Sequence, residues 1–428
     1  MKRSFRLRLA RFALALALAP LPSGAAEPIV PVAARAPGRA GALPPGLAPR
    51  WPAGSFELVE EGPHAVARLR LPGEDIAAFV ANAAALDPPL DFRGRFPRVE
   101  LRVDDVKRLG GLALRLSSDG FRESWFEFPL WIFADEHFNS LQGGAWTPTS
   151  FSFGSARVVG RPDRSAIDSV GWFVRDRPAS EGGGPLTAEW RAFQAVDAAA
   201  EGVVSLTFDD GYDEHFSVAA PLLAEHGFRG TAYVMPDQLG LPGYVGVEQA
   251  RALRDRYGWE VAAHHAKPFT SFAPKELDAE MRRIRRQLSE LGFAEGARHL
   301  AYPEGRQDPR VVVRLARRHF ATARLASGGP ETLPPADPHR LRVLNVVRTT
   351  APDEIARAAR RAREHHEWLI LMFHWLVEDP VRDTDYSIEA FRRALLLLAQ
   401  EGAVVRTVGE VWDGLAGGRR GTTRATLR

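Results

Sequence analysis

Apolar and polar positions change rhythm once along the 428 residues, near Gly202. From Trp51 to about Val196, short runs dominate. Ala65–Leu71, Val99–Val103 and Leu112–Leu116 put apolar residues at every second position, as half-buried strands do. Trp125–Phe133 and Val170–Val174 are further strand-like runs, and Pro, Gly and Asp clusters separate them all. Many short strands with such turns predict an antiparallel β-sandwich. After Gly202, apolar runs of strand length alternate with amphipathic segments of helix length. Strands are predicted over 203–208, 231–235, 259–263, 299–302, 320–324, 341–347, 368–373 and 403–407. Helices are predicted over 214–226, 247–257, 274–291, 309–319, 352–366 and 387–401, with Pro274 and Pro352 where a first turn starts. Strand and helix in alternation mean parallel strands. Seven or eight such units predict an α/β fold, a distorted (β/α) barrel preceded by the sandwich. No internal repeat is visible.

The two ends differ from this pattern. Lys2, Arg3, Arg6, Arg8 and Arg11 precede the apolar run Phe12–Leu18 and the small residues Gly24-Ala25-Ala26. That is the layout of a secretory signal peptide, and its apolar run is short for a membrane span. Removing these five basic residues from 56 Lys and Arg, against 53 Asp and Glu, turns the net charge from +3 to −2. The basic balance thus belongs to the leader and gives no ground for nucleic-acid binding. With no cysteine, disulfides, thiolate metal sites and a lipoprotein anchor are excluded. The expected organisation is a signal peptide 1–26, a Pro/Ala-rich linker 27–50, a sandwich 51–198 as a candidate carbohydrate-binding domain, a barrel 199–416 and a basic tail 417–428. The expected location is periplasmic or secreted, with no stable transmembrane anchor.

Barrel enzymes gather their chemistry at the C-terminal ends of the strands. Four predicted strands end in polar or turn-forming residues: Asp209-Asp210-Gly211, His264-His265, Pro303-Glu304-Gly305 and His374-Trp375. Arising from separate strands, they converge on one rim. A carboxylate and imidazoles suit a divalent ion such as zinc. A second carboxylate beside them can take a proton from a water activated by the ion, and a separate histidine can protonate a leaving group. The bland alternative has the two acids capping the next helix and the histidines as hydrogen-bonded core groups. Aromatic residues of the sandwich (Trp125, Phe126, Trp131, Phe133, Trp146, Trp172) are either core or sugar-stacking surfaces, with core the default.

Thr207-Phe208-Asp209-Asp210-Gly211 resembles the first motif of the NodB-homology domain, the polysaccharide deacetylases of carbohydrate esterase family 4. The resemblance covers about residues 202–414. It implies Asp209 as general base, Asp210 and His264 as metal ligands, the amide after Pro303, that of Glu304, as oxyanion donor, and His374 as general acid. The implied cofactor is a divalent ion, Zn2+ first. The implied partner is an acetylated polysaccharide from which N-acetyl groups are removed.

Two motifs depart from the family pattern. Where the family carries a second metal-binding histidine, this chain has Pro268. His265 is the nearest substitute ligand and His215 a second candidate. Adjacent strand residues point to opposite faces, so His264 and His265 share an ion only if the chain turns there. The family's arginine beside the base is Ala301 here, with Arg342 a candidate replacement charge. Pro268 motivates the alternative of an inactive deacetylase-like protein that binds polysaccharide. A glycosidase is weaker, because adjacent Asp209 and Asp210 do not span a sugar ring.

Overall fold

The computed structural model describes residues 43–51, 54–130, 139 and 141–422, with only the backbone for Trp51 and 416–422. The expected signal peptide, most of the linker, Trp131 and Phe133 lie outside the described residues.

Eleven strands precede the barrel: β1 Leu47–Trp51, β2 Ser55–Glu61, β3 His64–Leu71, β4 Ala77–Asn82, β5 Arg95–Val103, β6 Leu109–Ser117, β7 Trp125–Leu130, β8 Thr147–Ser150, β9 Arg157–Val159, β10 Ser169–Asp176 and β11 Leu186–Asp197. They form two antiparallel sheets, in order β1-β4-β10-β6-β7-β9 and β2-β3-β11-β5-β8. The alternation read from the sequence is the burial pattern observed: β5 buries every second residue from Val99 to Val103. One apolar core lies between the sheets. At its centre Trp172 of β10 meets Trp190 of β11, ring centroids 5.4 Å apart. Of the other predicted aromatics, Trp125, Phe126 and Trp146 are half-buried. Trp146 is clasped by Arg102 and Arg191, 4.4 and 4.1 Å from its ring.

The barrel strands are β12 Val203–Phe208, β13 Gly230–Val234, β14 Glu260–Ala263, β15 His299–Ala301, β16 Thr322–Gly328, β17 Glu331–Thr332, β18 Leu341–Asn345 and β19 Glu367–Phe373. Seven of them close a parallel ring, β12-β13-β14-β15-β16-β18-β19, with β19 paired back onto β12 from Val203↔Trp368 to Phe208↔Phe373. β17 is an antiparallel addition to β19. The expected strand 403–407 is reduced to a single bridge, Val204↔Val405. The reason is pairing capacity: β12 spends one edge on β19 and Leu206–Phe208 of the other on β13.

The helices α1 Ala220–Glu225, α2 Val247–Tyr257, α3 Pro274–Glu290, α4 Val312–His319, α5 Pro352–His365, α6 Ile388–Gln400 and α7 Val408–Thr422 accompany the barrel, with a short pair β20 Trp375–Val377 and β21 Asp385–Ser387 before α6. Pro274 and Pro352 each occupy the first turn of a helix, where the missing N–H costs nothing. The amphipathic faces of α1 to α6 cover the outward apolar residues of the strands. α7 extends into the segment expected to be a tail.

The sandwich docks on the barrel through buried polar contacts. Ser150 and Thr332 share a hydroxyl hydrogen bond of 2.5 Å, Arg98 donates to the Pro334 carbonyl at 2.8 Å, and Arg340 donates to Thr147 at 3.1 Å. Among the described residues no helix is long and apolar enough to cross a membrane.

Candidate active site

Alternation along the barrel strands decides which side chains reach the axis. On β12, Val204, Leu206 and Phe208 pack outward against the helices, so Val203, Ser205 and Thr207 point inward. Asp209 continues the inward row. On β19, Trp368, Ile370 and Met372 point inward, and His374 follows them. On β14, Val261 and Ala263 face the helices, so Ala262 and then His264 face the axis, and His265 faces out. The C-terminal rim therefore collects Asp209, Asp210, His264 and His374.

Asp209 is buried, and Arg324 of β16 holds one of its carboxylate oxygens in an ion pair. The other oxygen lies 4.0 Å from Nε2 of His374. Arg324 is 1% exposed and lies 4.5 Å from the Tyr233 ring. Burial pushes its guanidinium down to about 9. Arg342 does not take this role. It points outward and pairs with Glu331 at 2.5 Å. The replacement for the family arginine comes instead from the next strand: Arg324 is the register partner of Ala301, so the charge has moved one strand sideways at the same level.

Asp210 sits at φ 73 and Gly211 at φ 78, a left-handed turn that swings the second carboxylate across the rim. Its Oδ1 is 3.3 Å from Nε2 of His264. Burial opposes ionisation of Asp210, but hydrogen bonds from His264 and Tyr212 prevail and hold its carboxyl well below the usual range. His264 Nδ1 is 2.9 Å from the Ala301 carbonyl, which can only accept, so Nδ1 carries a proton. Nε2 is then the atom facing the carboxylate, and it can donate there only if it too carries a proton. The contact is satisfied only by a second proton or by a cation between the two. One carboxylate and one imidazole, the imidazole oriented by a carbonyl behind it, are donors that a zinc-type ion takes. Among the described residues these two fit such an ion, one donor short of the three protein ligands usual at catalytic zinc.

Neither candidate third ligand joins them. His265 points outward by the alternation of β14. Its Nε2 is 3.0 Å from Glu280 of α3, and its Nδ1 meets the backbone of Lys267 at 2.9 Å. His265 does belong to a group with Asp237 and Glu280, whose ligand-type atoms lie within 4.8 Å of one another. Arg283 pairs with both carboxylates and already supplies the cation there. His215, in the π-helical turn His215–Ala219, is fully buried with Nε2 on the His374 carbonyl at 2.8 Å. Burial pushes it down to about 4, so it is a neutral prop for the strand end. Pro268 leads into a short turn of 3-10 helix, Phe269–Ser271, and offers no donor.

His374 is pushed down to about 4 by burial, against the pull of the Asp210 carboxylate. Its Nδ1 is buried without a partner, so an imidazolium would strand a charged N–H. Glu304 sits at φ 54 in the turn after Pro303. Its side chain is half-exposed and 3.1 Å from Arg306, so the oxyanion role that the resemblance implies belongs to its backbone amide. Trp375 is covered on both faces, by Tyr212 at 3.5 Å and Arg382 at 4.3 Å, and leaves only its edge for a sugar.

Arg324 is the member of this constellation that sequence reasoning missed. Its signal was an arginine between Ala323 and Leu325 at the end of an apolar run.

The polysaccharide deacetylase family model matches residues 197–322. No curated protein matches the chain. Similar solved structures include a family 4 carbohydrate esterase from Streptomyces lividans in complex with acetate, 20% identical over 48% of this chain and 93% of that chain, with a TM-score of 0.34. The chitin deacetylase from the fungal pathogen Colletotrichum lindemuthianum is 14% identical over 50% of this chain and 88% of its own, TM-score 0.36. A family 4 pseudoenzyme from Bacillus anthracis is 16% identical over 50% of this chain and 66% of its own, TM-score 0.34. The family match takes in the paired acids, His264 and the Glu304 turn, so residues 197–322 carry the signature of the polysaccharide deacetylase family.

Proposed function

We propose that this protein is an exported, metal-dependent deacetylase that removes N-acetyl groups from an amino-sugar polysaccharide. The observation that carries the reading is the rim itself. A charge-paired carboxylate, Asp209, lies 4.0 Å from His374, beside a second carboxylate, Asp210, 3.3 Å from Nε2 of His264.

Asp210 and His264 would hold the ion. When bound, it supplies Lewis acidity to the acetyl carbonyl and to a water. Asp209, kept ionised by Arg324, takes a proton from that water as its oxygen bonds to the acetyl carbon. The Glu304 amide donates to the carbonyl oxygen as negative charge gathers there. Resting His374 is neutral, so to act as general acid it must first take up a proton at Nε2 and pass through a transient imidazolium. It relays the one that Asp209 collects, from Oδ2 through Nε2 to the sugar nitrogen, as the carbon–nitrogen bond breaks. Acetate and a free amine result, and the atoms balance as hydrolysis.

Asp209→Asn keeps the shape and removes the base. Acetate release from N-acetylated oligosaccharides should then fall by about 10²-fold or more with the fold intact. Undiminished release would remove the mechanism. The two-donor metal site favours a second reading, a polysaccharide-binding protein that has lost catalysis. Metal content after purification without chelator separates the two. Stoichiometric zinc or a related ion supports the enzyme, and glycan binding with no metal taken up from added zinc supports the binder.

A further inference from the structure

We propose that the sandwich loop 141–145 is a positioning element of the deacetylase site, holding the rim turn 303–307 in place through Gln142 and Gln307. The proposal rests on the deacetylase reading above for its catalytic consequence.

The rim turn is short and strained. Pro303–Gly305 is a single turn with Glu304 in the left-handed region at φ 54, a conformation that persists only where neighbours impose it. Its internal bonds are local: the Gly305 amide donates to the Tyr302 carbonyl at 2.9 Å and the Arg306 amide to Pro303 at 3.1 Å. The turn is therefore shaped by what holds its two ends. On one side Tyr302 is anchored inside the barrel, its hydroxyl donating to the His339 carbonyl at 3.0 Å. On the other side stands Gln307, fully buried, the last residue before Asp308 begins the approach to α4.

Gln307 is held from the sandwich. Nε2 of Gln142 donates to the Gln307 carbonyl at 2.8 Å, and Nε2 of Gln307 donates back to the Asn139 carbonyl at 3.2 Å. Both glutamine side chains are buried, so each bond is made away from water, where an unmet amide is costly. The loop approaches closely here: a Cβ on Gly144 would lie 3.1 Å from the guanidinium of Arg310. The remaining polar contacts named above between the two units (Ser150, Arg98 and Thr147 against Thr332, Pro334 and Arg340) fall on residues 332–340, which meet the turn at its Tyr302 end through the His339 carbonyl and not at Gln307. Among the described residues, the bonds of Gln307 to Gln142 and Asn139 thus tie the sandwich directly to the C-terminal end of the turn carrying the oxyanion amide.

The test compares the full chain with Gln142→Met, which keeps the length of the side chain and removes the donor. Amide hydrogen exchange is followed in peptides covering 302–307 and, as a control, 264–272. Acetate release gives kcat and KM separately. Exchange in 302–307 should quicken by about tenfold while the control is unmoved. A displaced oxyanion donor should lower kcat by about tenfold with KM within about twofold of wild type. Metal content should stay unchanged, because Asp210 and His264 are untouched. Faster exchange in 302–307 with kcat unaltered would overturn the positioning role. Unchanged exchange there, or an equal rise in the control peptide, would overturn the clamp. A wild-type protein that releases no acetate would sink the deacetylase reading separately, and exchange would still decide whether the loop holds the turn.

Discussion

Arg324→Ala removes the guanidinium held against Asp209 and leaves a carboxylate buried without a charge partner. Breaking a buried pair from one side costs about 3–5 kcal/mol. The loss of the cation 4.5 Å from the Tyr233 ring adds to the lower end of that range. Burial that pushes Arg324 down to about 9 works the other way, because removing the side chain also removes that strain. A net destabilisation of about 3 kcal/mol at pH 8 is expected. It should shrink at pH 5, where the stranded carboxylate can take up a proton instead of staying charged. Urea unfolding at the two pH values measures this, and acetate release should drop by about 10²-fold because the base is no longer held ionised. The register Ala301↔Arg324 provides a rescue. Both positions face the axis at one level on adjacent strands, so Ala301→Arg introduced with Arg324→Ala sends a guanidinium into the emptied space. The double variant should recover much of the stability and part of the activity. Unfolding within about 0.5 kcal/mol of wild type for Arg324→Ala, with normal acetate release, would refute the pairing as the reason Asp209 works.

Three further outcomes follow from other parts of the molecule. Burial raises Glu260, inside the base of the barrel, to about 7, with bonds from Gly409 and Thr231 opposing. Its folded value lies above its unfolded one, so stability is highest when it is protonated and falls as pH rises toward about 7. Glu260→Gln should flatten that slope and gain about 3 kcal/mol above pH 7 and little at pH 4.5, and parallel pH–stability curves would contradict it. A Cβ on Gly154 would come within 2.8 Å of both Glu367 Oε1 and His365 Cδ2. Gly154→Val should therefore cost about 1–3 kcal/mol at the junction of sandwich and barrel, read as a lower thermal midpoint. His264→Ala should abolish zinc retention, while His265→Ala should leave metal content unchanged and lower stability through its lost contact with Glu280. Equal metal loss in the two variants would refute the outward placement of His265.

The sequence carried the barrel rhythm and the rim well, because strand ends and period-2 alternation are local properties. It carried Arg324 poorly for a physical reason. Strands of a parallel barrel are apolar on both faces, so alternation separates two faces without naming which is inside. Arg324 lies between Ala323 and Leu325, which face the helices, and it therefore points inward. Arg342 lies between Leu341 and Val343, which face the axis, and it therefore points outward to Glu331. The two local patterns are indistinguishable, and only the closure of the ring tells them apart.

The same rule bears on how the metal site is completed. Once His264 is the inward residue of β14, its neighbour His265 is committed to the helix face, and no rotamer carries it across the sheet. The π-helical turn commits His215 to the His374 carbonyl in the same way. Among the described residues, the other inward carboxylate and imidazole of that rim are Asp209 and His374, 4.0 Å apart. Drawing either into coordination would take the base or the relay out of the reaction. Asp210 and His264 are thus the two described residues that would hold an ion, which would supply Lewis acidity there, while Asp209 and His374 stay free for proton transfer. The zinc retention of His264→Ala and His265→Ala is thus a test of the chemistry as well as of the geometry.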